Sequence, residues 1–576
     1  MSASPRLLYA ALLCAASLSS PLLSDSDLPR SPASDAPVPG VLRASLPIPQ
    51  NDGAPVSRVF YDLLGTRGDE SADRALRGRI EALVPVMAGD RLPATALTSA
   101  VDRIRTLPGV RDAAVSLYAS ASPGEVVLVI SVVIDDETEP SAAKAAVFPV
   151  LVNTDRSLLR VQLAGGHGLF ADHNPWFGSP ATFTAQSPIA SAAPGPGWTR
   201  WAESSIEYGL AGATRLGDAP ATAFAEVTAV GSAAVGNDLF RDGPRYRNKV
   251  EKAYAGLAWT DRVNDRSIKV SAGRQNWQLY GGFLFSRFAA GSNAGPNPGL
   301  YLSPRTTYQR TILLDARAGA WRFEAFDLDP SELDNFDSGS RYVGGNLRRV
   351  DPKGFEWGVT AYRIPESRTR IPLASGGSTP REGLRVWAVR LGQRQLFGMD
   401  GLDVLGEYAS QDSSRVDWDS RAWYAQVGYG FRDARWSPHL TYRRARFGGD
   451  NASTPTQEAF DAQLSSGLDE WVQGVSFKKI VTNSNLDTHR LRLNLGDSPK
   501  LNVTFDLFRL EANQALPGGF EHYGDEVNAA VRWSISPRLF FLGVAGHAWP
   551  GDEVRRRTGG AARPWSTLQA SLFWGL

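Results

Sequence analysis

EVNAAVRWSISPRLFFLGVAGHA occupies residues 526–548, and its pattern decides the fold. Val527, Ala529, Val531 and Trp533 fall on one side of an extended chain, Asn528, Ala530 and Arg532 on the other. After a short break around Pro537 a second strand follows over 539–548. Successive side chains of a strand point to opposite faces, so a period of two describes a sheet with one apolar and one polar side. The same alternation closes the chain at Leu568, Ala570, Leu572, Trp574 and Leu576. It recurs where Ile268, Val270 and Ala272 alternate with Lys269, Ser271 and Gly273, and where Phe355, Trp357, Val359 and Ala361 alternate with Glu356, Gly358 and Thr360. Leu491, Leu493 and Leu495 alternate with Arg490, Arg492 and Asn494 in the same way.

Working outward, the pattern predicts 18 strands: 157–165, 201–212, 221–232, 250–260, 267–275, 308–318, 321–328, 341–350, 354–363, 384–391, 402–410, 421–432, 438–446, 488–495, 501–510, 526–534, 539–548 and 565–576. A soluble sandwich fits the alternation as well as a membrane barrel does; the loops separate them. The gaps 166–200, 233–249 and 276–307 are long, whereas 213–220, 261–266 and 319–320 are short. Long loops on one side and tight turns on the other are the signature of an outer-membrane barrel. An even count puts both ends of the barrel chain on the tight-turn side. A further apolar stretch, 470–477, is assigned to the loop 447–487 to keep that parity. A count of 16 stays open beside 18. Outward aromatics near strand ends (Trp259, Tyr308, Trp321, Tyr408, Tyr429, Trp533, Trp574) are expected to form interfacial girdles.

Composition agrees. The 576 residues carry 61 Lys+Arg against 60 Asp+Glu, a net +1, so bulk charge gives no argument for a nucleic-acid partner. A mean hydropathy of −0.23 excludes a helical membrane protein. With 16 Trp, 16 Tyr, 25 Phe and 56 Gly but one Cys, the chain suits a large β-protein that meets an interface.

Residues 1–19 read as a signal peptide: Arg6 precedes the apolar run from Leu7 to Ala16, and Ser17-Leu18-Ser19 offers small residues for cleavage. Cleavage removes Cys14, the single cysteine. Residues 20–55 read as a Pro/Ser-rich linker. Residues 56–137 read as a small α/β unit in the order β-α-α-β-β. Strand 57–64 comes first, then a helix from Ala75 that ends near Val84 before Pro85. A second helix opens at Pro93 with Leu97, Val101, Ile104 and Leu107 on one face. Strands 111–119 and 125–134 follow. With the phrase Leu107-Pro108-Gly109-Val110-Arg111, this order resembles a POTRA domain. The resemblance implies a periplasmic module that docks a partner, often by adding a strand to its sheet edge.

The barrel is assigned to 157–576, and over roughly residues 195–576 it resembles outer-membrane porins of the alginate-export type. The carrying phrases are VSAGRQNWQLYGGFLFSRFAAG (270–291), SRYVGGNLRR (340–349) and HLTYRRARFGGDNASTPTQEAFDAQ (439–463). The expected fold is therefore mainly β: an 18-stranded antiparallel transmembrane β-barrel in a Gram-negative outer membrane, preceded by the POTRA-like domain in the periplasm. The resemblance implies passage of a polysaccharide or of small anionic solutes. The expected partners are outer-membrane lipid, the polysaccharide polymer and a periplasmic export-machinery protein met by the POTRA-like unit, with no nucleic acid. A fused POTRA-like unit departs from the alginate porins. Two other readings stay open, a POTRA-containing protein translocator or insertase and a general diffusion porin; the translocators' Val-Arg-Gly-Phe/Tyr-type loop motif is absent.

No enzyme and no cofactor are expected: the six histidines lack ligand spacing, and no Gly-x-Ser-x-Gly or Walker pattern occurs. His167 and His173 are placed in the first loop. On the polar faces stand Arg160, Lys269, Arg322, Arg443, Arg490, Arg492 and Arg532, with Glu324 and Glu356 among the acids. Guanidinium groups bind carboxylates bidentately, so these residues are candidates to line a pore and contact an anionic sugar. The equal alternative is that they pair with the acids to brace a wide barrel. Arg274 and Gln275 are placed at the base of the loop 276–307, which is long enough to fold inward as a constriction.

Overall fold

The run VVLVISVVI is apolar at almost every position, as a strand covered on both faces must be. It forms β4 (Val126–Ile134) in the middle of a small sheet. Beside it lie β3 (Val110–Ala119), antiparallel, and β2 (Val56–Leu64), parallel. β1 (Ser45–Leu46) pairs with the outer edge of β3, so part of the expected linker belongs to this sheet. α1 (Glu70–Leu83) buries Leu76 and Ile80 and stops short of Pro85. Leu97, Val101 and Ile104 are helical and buried, and they pack in one core with Leu117, Leu128, Ile130 and Val132. The computed structural model describes residues 45–46 and 54–575, apart from short connecting stretches and the longer segments 135–147, 177–196 and 287–300. The signal-peptide reading lies outside the described residues.

A short strand, β5 (Val150–Asn153), leads into the barrel. The barrel strands are β6 (Ser157–His173), β7 (Trp198–Arg215), β8 (Ala221–Gly236), β9 (Arg245–Asp261), β10 (Arg266–Gln275), β11 (Tyr308–Ala318), β12 (Trp321–Pro330), β13 (Arg341–Val350) and β14 (Phe355–Glu366). After a loop hairpin, β15 (Arg370–Pro372) and β16 (Ser378–Pro380), come β17 (Leu384–Arg394), β18 (Leu402–Ser413), β19 (Asp419–Gly430), β20 (His439–Phe447) and β21 (Leu486–Ser498). Then follow β22 (Leu501–Leu516), β23 (Phe520–Ser536), β24 (Leu539–Pro550), the short helix α2 (Asp552–Arg557) and β25 (Trp565–Gly575). Among the described residues, eighteen of these, β6 to β14 and β17 to β25, close an antiparallel barrel. The join is staggered: β25 pairs with β6 over Ala164–His173, and β5 pairs with Leu158, Leu159 and Arg160.

Apolar side chains such as Ile268, Val270, Leu391, Val427, Leu491 and Trp533 are exposed on the outer face, whereas their neighbours Arg390, Gln426 and Arg490 are buried. An apolar exterior around a polar interior is the pattern of a barrel that spans lipid.

Two details differ from the sequence reading. The first strand runs to His173 rather than stopping at residue 165, so His167 and His173 belong to β6. Within β6, Gly165 and Gly166 leave room for rings: a Cβ on Gly165 would strike the indole of Trp574. Tyr308 is not an outward girdle residue but fully buried. The register of β11 shifts between Tyr308 and Arg310, and such a bulge turns the preceding side chain to the other face. Trp321, Tyr429 and Trp533 do face outward. The stretch around 472–477 belongs to the loop, as the sequence reading assigns it; Val472, Val475 and Phe477 are apolar because that loop folds into the barrel.

Candidate functional site

The inner wall from β11 to β22 carries a belt of paired charges. Arg322 donates its Nε to Asp315 at 3.0 Å, and Asn346 donates to Glu324 at 2.8 Å. Arg322 and Arg348 face each other across β12 and β13. Arg348 pairs with Glu356 at 2.6 Å, and Glu356 also takes Arg390 Nε at 2.8 Å. Arg390 in turn reaches Glu407 at 2.6 Å, and the Tyr424 hydroxyl donates to Glu407 at 2.6 Å. Arg443 donates to Gln426 at 3.0 Å and lies over the Tyr424 ring. Arg492 and Arg490 stand 2.6 and 3.8 Å from Asp506. Arg532 donates to Thr504 at 3.3 Å. Guanidinium and carboxylate therefore alternate through Arg348, Glu356, Arg390 and Glu407, while Arg443 and Arg532 extend the wall on neutral acceptors.

Two loops from the wide-loop end fold onto this wall. Residues 276–286 of the first loop are almost wholly buried. Its Tyr280 reaches the belt: its hydroxyl donates to Asn346 at 2.7 Å, and Arg390 and Arg348 lie over its ring at 4.5 and 5.4 Å. Only a glycine at 358 leaves space for that hydroxyl. Burial pushes the Tyr280 phenol above its ordinary pKa, so it stays a neutral donor. Phe283 and Phe285 pack against Phe326, Tyr342, Tyr362, Tyr424 and Phe447 of the wall.

The second loop brings in residues 472–481. The Glu526 carboxylate accepts the backbone N–H groups of Ser476 and Phe477 at 2.9 and 3.0 Å. Lys479 donates to Asp172 at 2.7 Å and to Thr567 at 3.1 Å. Burial lowers the Lys479 pKa, and Asp172 opposes that shift. Asp172 also accepts from the Trp565 indole at 2.6 Å. Asp172 is wholly buried and, among the described residues, keeps only the neutral donors Trp565 and Thr567, so Lys479→Met is expected to cost about 3 kcal/mol, as a buried charge left without its counter-charge does. Denaturant unfolding in detergent checks the value, and faster protease cleavage within 466–485 checks that the loop is what loosens.

The structure brings together Arg322, Glu324, Glu356 and Arg443, with Arg490, Arg492 and Arg532 farther along the same wall. Arg160 is buried beside β5, and Lys269 lies over the Phe224 ring at 5.0 Å, both apart from the belt. Arg274 donates to the Glu251 carbonyl at 2.9 Å and to Ser331, and Gln275 donates to Thr311 at 2.6 Å, so both fix the root of the inward loop. Sequence reasoning missed Arg348 and Arg390. On β17 the inward positions are Leu384, Val386, Ala388 and Arg390; the folded-in loops make that face largely apolar, which hides it from a polar-face reading. Among the described residues, no group of three His, Cys, Asp or Glu side chains is placed to hold a metal ion.

The family model for alginate export matches residues 210–565. No curated protein matches the chain. Among solved structures, OpdQ of Pseudomonas aeruginosa is 8% identical, over 73% of this chain and 97% of its own, with a TM-score of 0.45. A BenF-like porin from Pseudomonas fluorescens Pf-5 is 10% identical, over 73% and 98%, with a TM-score of 0.44. OpdK of Pseudomonas aeruginosa, solved with vanillate, is 8% identical, over 72% and 98%, with a TM-score of 0.43.

Proposed function

Because this chain belongs to the alginate export family, we propose that it is an outer-membrane channel through which an acidic polysaccharide leaves the cell. The observation that carries the reading is the arginine-rich belt on the inner wall. A uronate-type carboxylate offers Arg348, Arg390, Arg490 and Arg492 the same planar acceptor that Glu356, Glu407 and Asp506 now provide, and offers Arg443 and Arg532 a charged one in place of Gln426 and Thr504. A polymer can thus exchange one set of carboxylates for another as it moves, without any arginine being stripped of partners. That exchange replaces bulk water around a polar chain at small cost. Arg443, Arg490, Arg492 and Arg532 are the side chains assigned to polymer contact, with Arg322 and the acids Glu324 and Glu356 setting their spacing. The small α/β unit, in this reading POTRA-like, faces the periplasm and receives the polymer or docks the protein that delivers it.

The test is current through the purified chain in a planar bilayer. Oligouronates of six to eight sugars (roughly one barrel height) are expected to block most of the current at millimolar concentration. Neutral oligosaccharides of equal length are expected to block little. Arg490→Gln together with Arg492→Gln is expected to weaken uronate block about tenfold, a loss of about 1.4 kcal/mol in binding. Equal block by neutral and acidic chains would favour a general diffusion porin instead.

A further inference from the structure

The N-terminal domain does not merely precede the barrel; part of it lies inside. After α1 the chain passes through Met87, Asp90, Arg91 and Leu92. This segment is fastened to its own domain on both sides of Arg91. Val56 N–H donates to the Asp90 carbonyl at 2.7 Å, and Leu92 N–H donates to the Ala54 carbonyl at 2.7 Å. The Asp90 carboxylate accepts the Met87 N–H at 2.8 Å. The result is a preformed finger whose position follows that of the domain.

Arg91 extends from this finger to three groups of the barrel. Its Nε donates to Glu324 at 2.9 Å, another guanidinium N–H donates to the Gln278 carbonyl, and the charge lies 5.0 Å from the Trp277 ring centre. Nearby, Arg317 stands 3.6 Å from Asp90 and 3.1 Å from the Met87 sulfur. Glu324 lies three residues past Trp321, which follows the tight turn at 319–320. At ~3.3 Å per residue it sits about 10 Å along the strand from the tight-turn rim. Gln278 and Trp277 reach the same spot from the opposite end, on the inward loop. One guanidinium therefore joins the barrel wall, the loop from the wide-loop end and the finger from the tight-turn end. The Arg91 side chain is only 9% exposed and Glu324 only 6%, so neither charge can be left without the other cheaply.

We infer that the N-terminal domain is a resident gate, and that Arg91, bridging Glu324 and the Gln278 carbonyl, is the latch that keeps the barrel shut on this side. Opening then requires the domain to withdraw its finger, which is a job suited to whatever docks on it from the periplasm. The inference rests on the channel reading above, and the experiment separates the two.

The measurement is time-averaged current from the full chain in planar bilayers, with heat-modifiable gel migration confirming a folded barrel. Arg91→Ala is expected to raise the current at least tenfold over the unaltered chain. Glu324→Gln removes the same contact from the wall and carries the test should the first variant fail to fold. The charge swap Arg91→Glu with Glu324→Arg restores an ion pair but not the donation to the Gln278 carbonyl, so it is expected to bring the current only part of the way back, below that of either single variant. A merely structural role would not predict that rescue. Arg77→Ala, on a half-exposed side chain of α1 that pairs with Glu81 one turn along the helix, is expected to leave the current unchanged. A fully conducting unaltered chain, with Arg91→Ala and Glu324→Gln indistinguishable from it, overturns the gate and leaves the channel intact. Silence from every variant overturns the channel and the gate together.

Discussion

Arg390→Ala is expected to destabilise the barrel by about 3–5 kcal/mol, because it leaves buried carboxylates without their counter-charge. The Arg390 side chain is 2% exposed and divides its guanidinium between Glu356 and Glu407, themselves 7% and 4% exposed. Removing it leaves Glu356 with Arg348 and Glu407 with the Tyr424 hydroxyl. Neither remaining donor neutralises both acids. Arg390→Lys is expected to recover only part of the loss, since a point charge cannot serve two carboxylates as a planar fork does. Urea unfolding in detergent, followed by the heat-modifiable gel band, gives the number. A double-mutant cycle with Glu407→Gln isolates the pair, and the double variant is expected to be more stable than Arg390→Ala alone. A loss below about 1 kcal/mol would mean that water enters the belt freely and that the pairs there behave like surface ones.

Phe285→Ala is the second large effect, about 3–5 kcal/mol, and it reads out in current as well as in stability. Phe285 is fully buried and meets Trp277, Phe326, Tyr342 and Tyr362 with ring centres 4.7–5.6 Å away. Its carbonyl accepts the Leu279 N–H at 3.0 Å, and next to it Ser286 N–H donates to the Leu464 carbonyl at 2.9 Å. The ring is thus the apolar anchor of the inward segment, while the backbone bonds set its shape. Without the anchor the segment is expected to swing, so protease sites within 276–307 open and single-channel conductance rises. Removing the ring of Tyr246, which is 89% exposed, is expected to change neither quantity.

Much of the barrel was legible because each strand had to satisfy lipid on one side and a packed or wet interior on the other. That constraint writes a period of two into the chain, and the tight turns show as short gaps. The strand ends were less legible: β6 runs on through Gly166–His173, residues placed in a loop by the sequence reading, and its glycines at 165 and 166 make room for the Trp574 and Phe573 rings. Tyr308 was misplaced because a bulge reverses the parity that the pattern assumes. The charged wall was only half visible. Arg322, Glu324, Glu356 and Arg443 stand out as charges on a polar face, but Arg390 follows Val386 and Ala388 on a face made apolar by loops that arrive from elsewhere in the chain. Arg91 left no trace at all. Its partners lie more than 180 residues away in sequence, and nothing local distinguishes a lysine-like surface arginine from one that enters a pore.

The staggered join between β6 and β25 has a bearing on how copies of the protein behave beside one another. β25 stops pairing at Ala164, so Leu158–Arg160 of β6 would present bare N–H and C=O groups at that margin. β5 folds back through the Thr154–Ser157 hairpin and covers them from within the same chain. An uncovered margin is a template onto which another chain's strand can zip. Self-capping removes that template, so crowding in the bilayer brings neighbouring cylinders side by side without exchanging strands between them.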